Sequence, residues 1–127
     1  MHKSKLSTFV IDCQGTDLDA AAQFWSRALG RPAAAVPGED TYRELRSRPE
    51  EPLLLLQQVT HPSRIHLDIE SDDLDAEVGR LEALGAKRIA FVKRWWVMEA
   101  PTGQRFCIVN PQRGRGGAGW NEWPDGG

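Results

Sequence analysis

The sequence has few cysteines, no long apolar run and almost no net charge, and each absence excludes a class of protein. The two cysteines, Cys13 and Cys107, are too few for a disulfide framework. No apolar run approaches the roughly 20 residues needed to span a bilayer, so we expect no membrane partner. The formal net charge of −2 at pH 7 gives no attraction to nucleic acid, so we expect no nucleic-acid partner either.

The bulk composition is that of one globular domain. Of the 127 residues, 40% are hydrophobic and 27% are charged, which suffices for one core and a charged surface. Residues 1–12 contain basic side chains but no apolar segment of the kind that a signal peptide carries. We therefore expect a cytoplasmic protein with a single domain over residues 1–111.

The end of the chain has a different composition from the rest. Glycine dominates residues 112–127, so we expect a C-terminal tail outside the core. Trp120 and Trp123 are the exception in this tail. They indicate either that the tail packs on the domain or on a second subunit, or that they belong to an ordinary frayed end, and both alternatives stay open.

The most informative stretch, residues 64–85, reads as a strand followed by a capped helix. Polar and apolar side chains alternate over its first seven residues, which predicts a half-buried strand with His66 on the polar face. Leucine and valine then recur at helical spacing, with Asp72 or Asp73 as the N-cap. Gly85 follows where a residue with positive φ would end the helix.

This strand–helix unit occurs twice in the chain. Residues 17–30 (DLDAAAQFWSRALG) align with residues 73–85 (DLDAEVGRLEALG), and the first copy follows a predicted strand at residues 6–13. Short apolar or alternating runs predict further strands at residues 33–36, 41–46, 53–59, 88–93, 94–99 and 105–109. We expect an α+β fold of two βαβββ modules, residues 5–59 and 64–111, related by a pseudo-two-fold axis. Their sheets would form an open cup with the helices outside.

The order and spacing of three segments resemble the vicinal oxygen chelate superfamily, in its glyoxalase-like and bleomycin-resistance-like branch. The segments are FWSRALG at residues 24–30, RIHLDIESDDLDAEVGRLEALGA at residues 64–86 and APTGQRFCIV at residues 100–109. The resemblance covers about residues 5–111. It implies the same cup-shaped fold and a homodimer.

The resemblance also implies where a site would lie. Metal-dependent members take four ligands, usually His or Gln, Glu, His and Glu, from the first and last strand of each module. The matching positions here are Val10, Gln57 (or Gln58, if the register slips by one), His66 and Cys107. Because none of them is a carboxylate and Val10 has no donor atom, we expect no metal cofactor, with a divalent ion as the alternative.

Five side chains besides Val10 are the candidates for ligand binding or chemistry. His66 is the candidate catalytic residue, as a general base, but it also reads as a polar anchor or as a histidine bonded to a neighbouring strand. Cys107 reads as a buried thiol or as a nucleophile. Trp95 and Trp96 are adjacent, so a strand must send one ring to each face. We expect one ring to pack under a helix and the other to line the cup and stack on a planar ligand, with a dimer contact as the alternative for the second ring. Gln57 is the remaining polar candidate.

Three functions follow from these residues. The first is binding of a small amphipathic or aromatic molecule in a cup without a complete metal site, as in drug-binding resistance proteins. The second is a lyase, isomerase or dioxygenase that uses a metal or His66. The third is an accessory interaction protein with a vestigial cup.

Overall fold

The computed structural model describes residues 1–112 and 119–125. Of the predicted tail, residues 113–118 and 126–127 lie outside the described residues. The described strands are β1 His2–Gln14, β2 Ala33–Val36, β3 Glu39–Leu45, β4 Leu53–Val59, β5 Arg64–Ser71, β6 Lys87–Val92, β7 Trp95–Glu99, β8 Arg105–Val109 and β9 Asn121–Trp123, and the helices are α1 Leu18–Leu29 and α2 Leu74–Ala83. The predicted α+β class and the β-α-β-β-β order, occurring twice, are confirmed. The module boundaries, the pseudo-two-fold axis and the cup stay predictions.

Both helices begin at the aspartates that the sequence places before them. The Asp17 carboxylate accepts a hydrogen bond of 2.9 Å from the Ala20 amide at the start of α1. Asp73, the second of the two proposed caps of α2, accepts one of 3.1 Å from the Ala76 amide. Each bond satisfies an amide that the first helical turn leaves without a partner, which explains these carboxylates without any chemistry. Gly30, with φ of 67°, ends α1.

Contacts between Cα atoms divide the chain into two compact units. The first unit is Thr8–His66. In it, the second half of β1 runs parallel to β4, and β3 pairs antiparallel with both β4 and β2. Helix α1 covers one face of this sheet, where the buried core residues are Ile11, Leu18, Leu45 and Leu56.

The second unit joins Met1–Ser7 to the chain from Leu67 onward. Strand β5 runs parallel to β8, and β7 pairs antiparallel with both β8 and β6. Its core contains Val78 of α2 together with Met98 and Ile108 from the sheet. Within the described part of the chain, neither helix is long and apolar enough to cross a membrane.

The two ends of the chain pair with each other, which the sequence did not predict. Strand β1 begins at His2 rather than at residue 6, because His2 to Ser4 pair antiparallel with β9. The Trp123 indole donates a hydrogen bond of 2.8 Å to Ser4 Oγ. The Arg80 guanidinium lies 3.8 Å from the centre of the Trp123 ring, and Lys5 Nζ lies 4.6 Å from that of Trp120. Of the two alternatives for these tryptophans, packing on the domain is confirmed.

Trp123→Ala is expected to lower the unfolding free energy by about 1–2 kcal/mol, from one lost hydrogen bond and one lost cation–π contact. The variant should also speed amide hydrogen exchange at residues 2–4. Glu122→Ala is the matched control on the same strand, because its half-exposed ion pair with Lys3 contributes little. Urea denaturation of both variants tests this, and equal stabilities would contradict it.

Candidate functional site

The sheet of each unit has one face on its helix and an opposite face, which we call the helix-free face. In the first unit Ile11 packs on the helix side, so strand alternation turns Val10 and Asp12 to the helix-free face. Asp12 pairs in register with Gln57 of β4, which places Gln57 on the same face. Val10, Asp12 and Gln57 therefore lie side by side on the helix-free face of the first unit.

Asp12 is the centre of a polar cluster on this face. Its side chain is only 1% exposed, and three nitrogen atoms face its Oδ2. His66 Nδ1 lies at 2.9 Å, Arg64 Nε at 3.6 Å and His61 Nε2 at 3.8 Å. Among the residues that the structure describes, Asp12 Oδ1 has no hydrogen-bond partner although it is buried. Half of a fully buried carboxylate is therefore left unsatisfied, which costs about 1–3 kcal/mol.

The bond to Asp12 determines the chemistry of His66. A carboxylate only accepts hydrogen bonds, so His66 Nδ1 must carry the proton and donate it to Asp12 Oδ2. In the neutral imidazole, Nε2 then has the lone pair. The ring is 13% exposed, so it is held in one orientation and largely shielded from water. This arrangement suits a hydrogen-bond acceptor, a metal ligand or a general base.

Asp12, His61 and Arg64 were not predicted as site residues. The resemblance placed the first-module position on Val10, which is buried and has no donor atom. Alternation along β1 would have found Asp12, because it lies two residues further on the same face. No local signal indicates that His66 contacts Asp12, since 54 residues separate them in the chain.

The second unit holds the other three predicted residues. Trp96 packs against the core cluster of α2, with the ring of Phe91 at 5.1 Å. Alternation therefore turns Trp95 to the helix-free face, and Cys107 lies on that face as well. Cys107 is buried and pairs in register with Asp68 of β5. An oxygen of Asp68 lies within 4.8 Å of Cys107 Sγ.

The residues at the four implied metal positions do not fit the ligand set of that site. Val10 offers no donor, and neither Gln57 nor Cys107 is the carboxylate that a hard divalent ion prefers. Asp12, the buried carboxylate beside them, already faces a guanidinium and two imidazoles. In the second unit the Asp68–Cys107 pair offers one oxygen and one sulfur ligand, a combination that zinc accepts but that requires further ligands.

The other cysteine, Cys13, is excluded as a nucleophile. It packs against the helix-side core of the first unit. Burial, and secondarily the negative charge of the neighbouring Asp12, raise the pKa of the Cys13 thiol above its ordinary value. The thiolate needed for nucleophilic attack is therefore scarce at neutral pH.

A family model described as a glyoxalase-like domain matches residues 8–109. No curated protein matches the chain significantly. Among solved structures, methylmalonyl-CoA epimerase from Mycobacterium tuberculosis is 19% identical with a TM-score of 0.59, over 84% of this chain and 87% of that one.

Two larger enzymes have the same fold over part of their length. An extradiol ring-cleaving dioxygenase from B. fuscum is 18% identical with a TM-score of 0.57, over 84% of this chain and 32% of that one. The Mn(II)-bound glyoxalase from Novosphingobium aromaticivorans is 16% identical with a TM-score of 0.56, over 88% of this chain and 44% of that one. The chain therefore spans less than half of either enzyme. At these identities the likenesses show the fold.

Proposed function

Because this chain belongs to the glyoxalase-like domain family, within the vicinal oxygen chelate superfamily, we propose that it binds a small amphipathic or aromatic molecule at the Asp12–His66 pair. The observation that carries the proposal is the buried Asp12 carboxylate, whose Oδ1 has no hydrogen-bond partner among the described residues. A ligand hydroxyl or amide that donates to this oxygen would remove the cost of leaving it unsatisfied. Binding of this kind does not need the four metal ligands.

The surrounding residues support an amphipathic ligand. Gln57 pairs in register with Asp12 on the helix-free face, so its amide can both donate to and accept from a ligand. Val10, two residues before Asp12 on the same face of β1, is an apolar side chain buried beside it. A few polar groups beside apolar ones is the usual composition of a small-molecule site.

A second candidate function, proton transfer by His66, rests on the hydrogen bond to Asp12. That bond fixes the tautomer and leaves Nε2 as the basic atom, as a general base of a lyase or isomerase requires. One neighbour in fold is, by its title, an epimerase. Protein-catalysed exchange of an acidic C–H hydrogen of the bound ligand for deuterium in D₂O distinguishes the two. Exchange that needs His66 supports catalysis, and its absence supports binding alone.

The proposal predicts that Gln57→Ala and His66→Ala each weaken ligand binding about tenfold or more, since each removes a hydrogen bond in a buried site. Gln58→Ala is the matched control, because Gln58 is the next residue on β4 and faces the other side of the sheet. A thermal-shift screen with polycyclic and peptide antibiotics identifies a ligand, and titration then gives affinities. Equal losses in the Gln57 and Gln58 variants would contradict the proposed face.

Metal content and oligomeric state are measured on the same purified protein. A stoichiometric metal that survives dialysis and is lost in His66→Ala would favour the metal-dependent alternative. We also propose a homodimer, on the basis of the family resemblance, and light scattering of the purified chain gives the mass that tests it.

A further inference from the structure

The polar groups around Asp12 include one permanent cation, the Arg64 guanidinium. One carboxylate faces the guanidinium of Arg64 and the imidazoles of His61 and His66. We propose that the ligand of this site is a small organic acid, whose carboxylate binds the exposed part of the Arg64 guanidinium at the edge of the cluster. This inference rests on the proposed function and adds the chemical class of the ligand.

Asp12 does not saturate the donors of the Arg64 guanidinium that faces it. Only the His66 contact, at 2.9 Å, has hydrogen-bond length. Arg64 Nε at 3.6 Å and His61 Nε2 at 3.8 Å are too far for hydrogen bonds to the same oxygen. Arg64 is 48% exposed, so the rest of its planar donor fork can receive a carboxylate from solvent in the bidentate manner.

The backbone holds Arg64, His66 and His61 near Asp12. Arg64 and His66 are two residues apart on β5, so they share one face of the strand. His61 lies in the linker before β5, and this linker is tied to the end of β1. The Gln14 amide donates to Ser63 Oγ at 2.9 Å, and Gln14 Nε2 donates to the Thr60 carbonyl at 3.3 Å.

The same charges disfavour the other classes of ligand. A cationic ligand or a divalent ion beside Asp12 would face the Arg64 guanidinium, which already neutralises the carboxylate at 3.6 Å. A neutral ligand would use the Asp12 oxygen but leave the solvent-exposed nitrogens of Arg64 without a ligand carboxylate. Only an acid uses both parts of the cluster.

The test compares two probes of equal shape, 2-naphthylglycolate and its neutral amide 2-naphthylglycolamide. Both carry an aromatic ring and a hydroxyl donor, and they differ in charge. We expect the acid to bind about tenfold more tightly, by titration of intrinsic tryptophan fluorescence, with a preference that shrinks in high salt. Arg64→Gln should abolish the preference. Arg27→Gln removes the same charge from an exposed position of helix α1 in the same unit, and this variant should retain the preference for the acid.

The outcomes separate this inference from the function on which it rests. If the amide binds as tightly as the acid, the site binds small molecules but the organic-acid assignment is wrong. If Arg64→Gln and Arg27→Gln lower the preference equally, the acid binds through general charge and the assignment to Arg64 is wrong. If neither probe binds, nor any compound of the antibiotic screen, both proposals fail. Thermal melting of each variant establishes that it is folded.

Discussion

Glu77→Ala is expected to lose about 3–5 kcal/mol of unfolding free energy. Glu77 lies in α2 and is fully buried. Arg80 Nε and Nη2 donate to its two oxygens, each at 2.8 Å, and His2 Nε2 lies 2.8 Å from Oε1. Truncation removes the carboxylate and leaves the cationic Arg80 and the buried His2 without it, which is the costly way to break such a pair.

The helix provides its own control in Glu82. That carboxylate also receives two hydrogen bonds of 2.9 Å from one arginine, Arg88, but both side chains are more than a third exposed. Glu82→Ala should therefore cost no more than about 1 kcal/mol. Urea denaturation of both variants measures the difference. Similar losses would mean that burial does not determine the contribution of these pairs.

The pH dependence of stability gives a second readout of the Glu77 substitution. Burial alone would raise the pKa of Glu77, but hydrogen bonds from Arg80, His2 and Ser4 outweigh burial and lower it. Because the folded pKa lies below the unfolded value of about 4.3, the stabilisation is complete above that value and is lost as the pH falls through the folded pKa. The stability difference between the wild type and Glu77→Gln should therefore shrink in acid.

Much of the fold follows from local patterns in the sequence. Strand β4 and the two aspartate-capped helices have the expected positions, because apolar spacing and capping residues are local signals. The start of β1 could not be found in this way. Residues 2–4 are polar or charged, and they form a strand because β9 pairs with them from the other end of the chain.

The candidate site shows the same division between local and distant signals. His66 stands out because it lies on the polar face of an alternating strand. Its partner Asp12 does not, since nothing near Asp12 in the chain indicates a histidine 54 residues away. The resemblance indicated Val10 instead, because a family position is transferred to the residue that aligns with it. In this chain the carboxylate lies two residues later, at Asp12.

Two buried carboxylates illustrate how stability and function differ in this chain. Both oxygens of Glu77 accept hydrogen bonds from charged or polar donors, so the group stabilises the fold. Asp12 is as deeply buried, but its Oδ1 has no partner among the described residues. An unsatisfied buried oxygen costs the fold free energy, and a ligand that donates a hydrogen bond to it would remove that cost. The contrast supports assigning Asp12, and not Glu77, to the site.

Leu56→Ala is expected to lower the unfolding free energy by about 2–5 kcal/mol while leaving ligand affinity within about twofold. Leu56 is fully buried in the core under α1, where truncation leaves a cavity. Its neighbour Gln57 faces the other side of the sheet, so Gln57→Ala should do the reverse and weaken binding with little loss of stability. Leu29→Ala, at a 42% exposed position of α1, should cost less than about 1 kcal/mol.

Urea denaturation and ligand titration of these three variants test whether the two faces of the sheet have separate roles. Strand alternation turns Leu56 and Gln57 in opposite directions. Leu56→Ala therefore leaves a cavity in the core, whereas Gln57→Ala removes a polar group from the helix-free face. If Leu56→Ala weakened binding as much as Gln57→Ala, the ligand would lie on the helix side, and the assignment of Asp12, Gln57 and His66 to the site would be wrong.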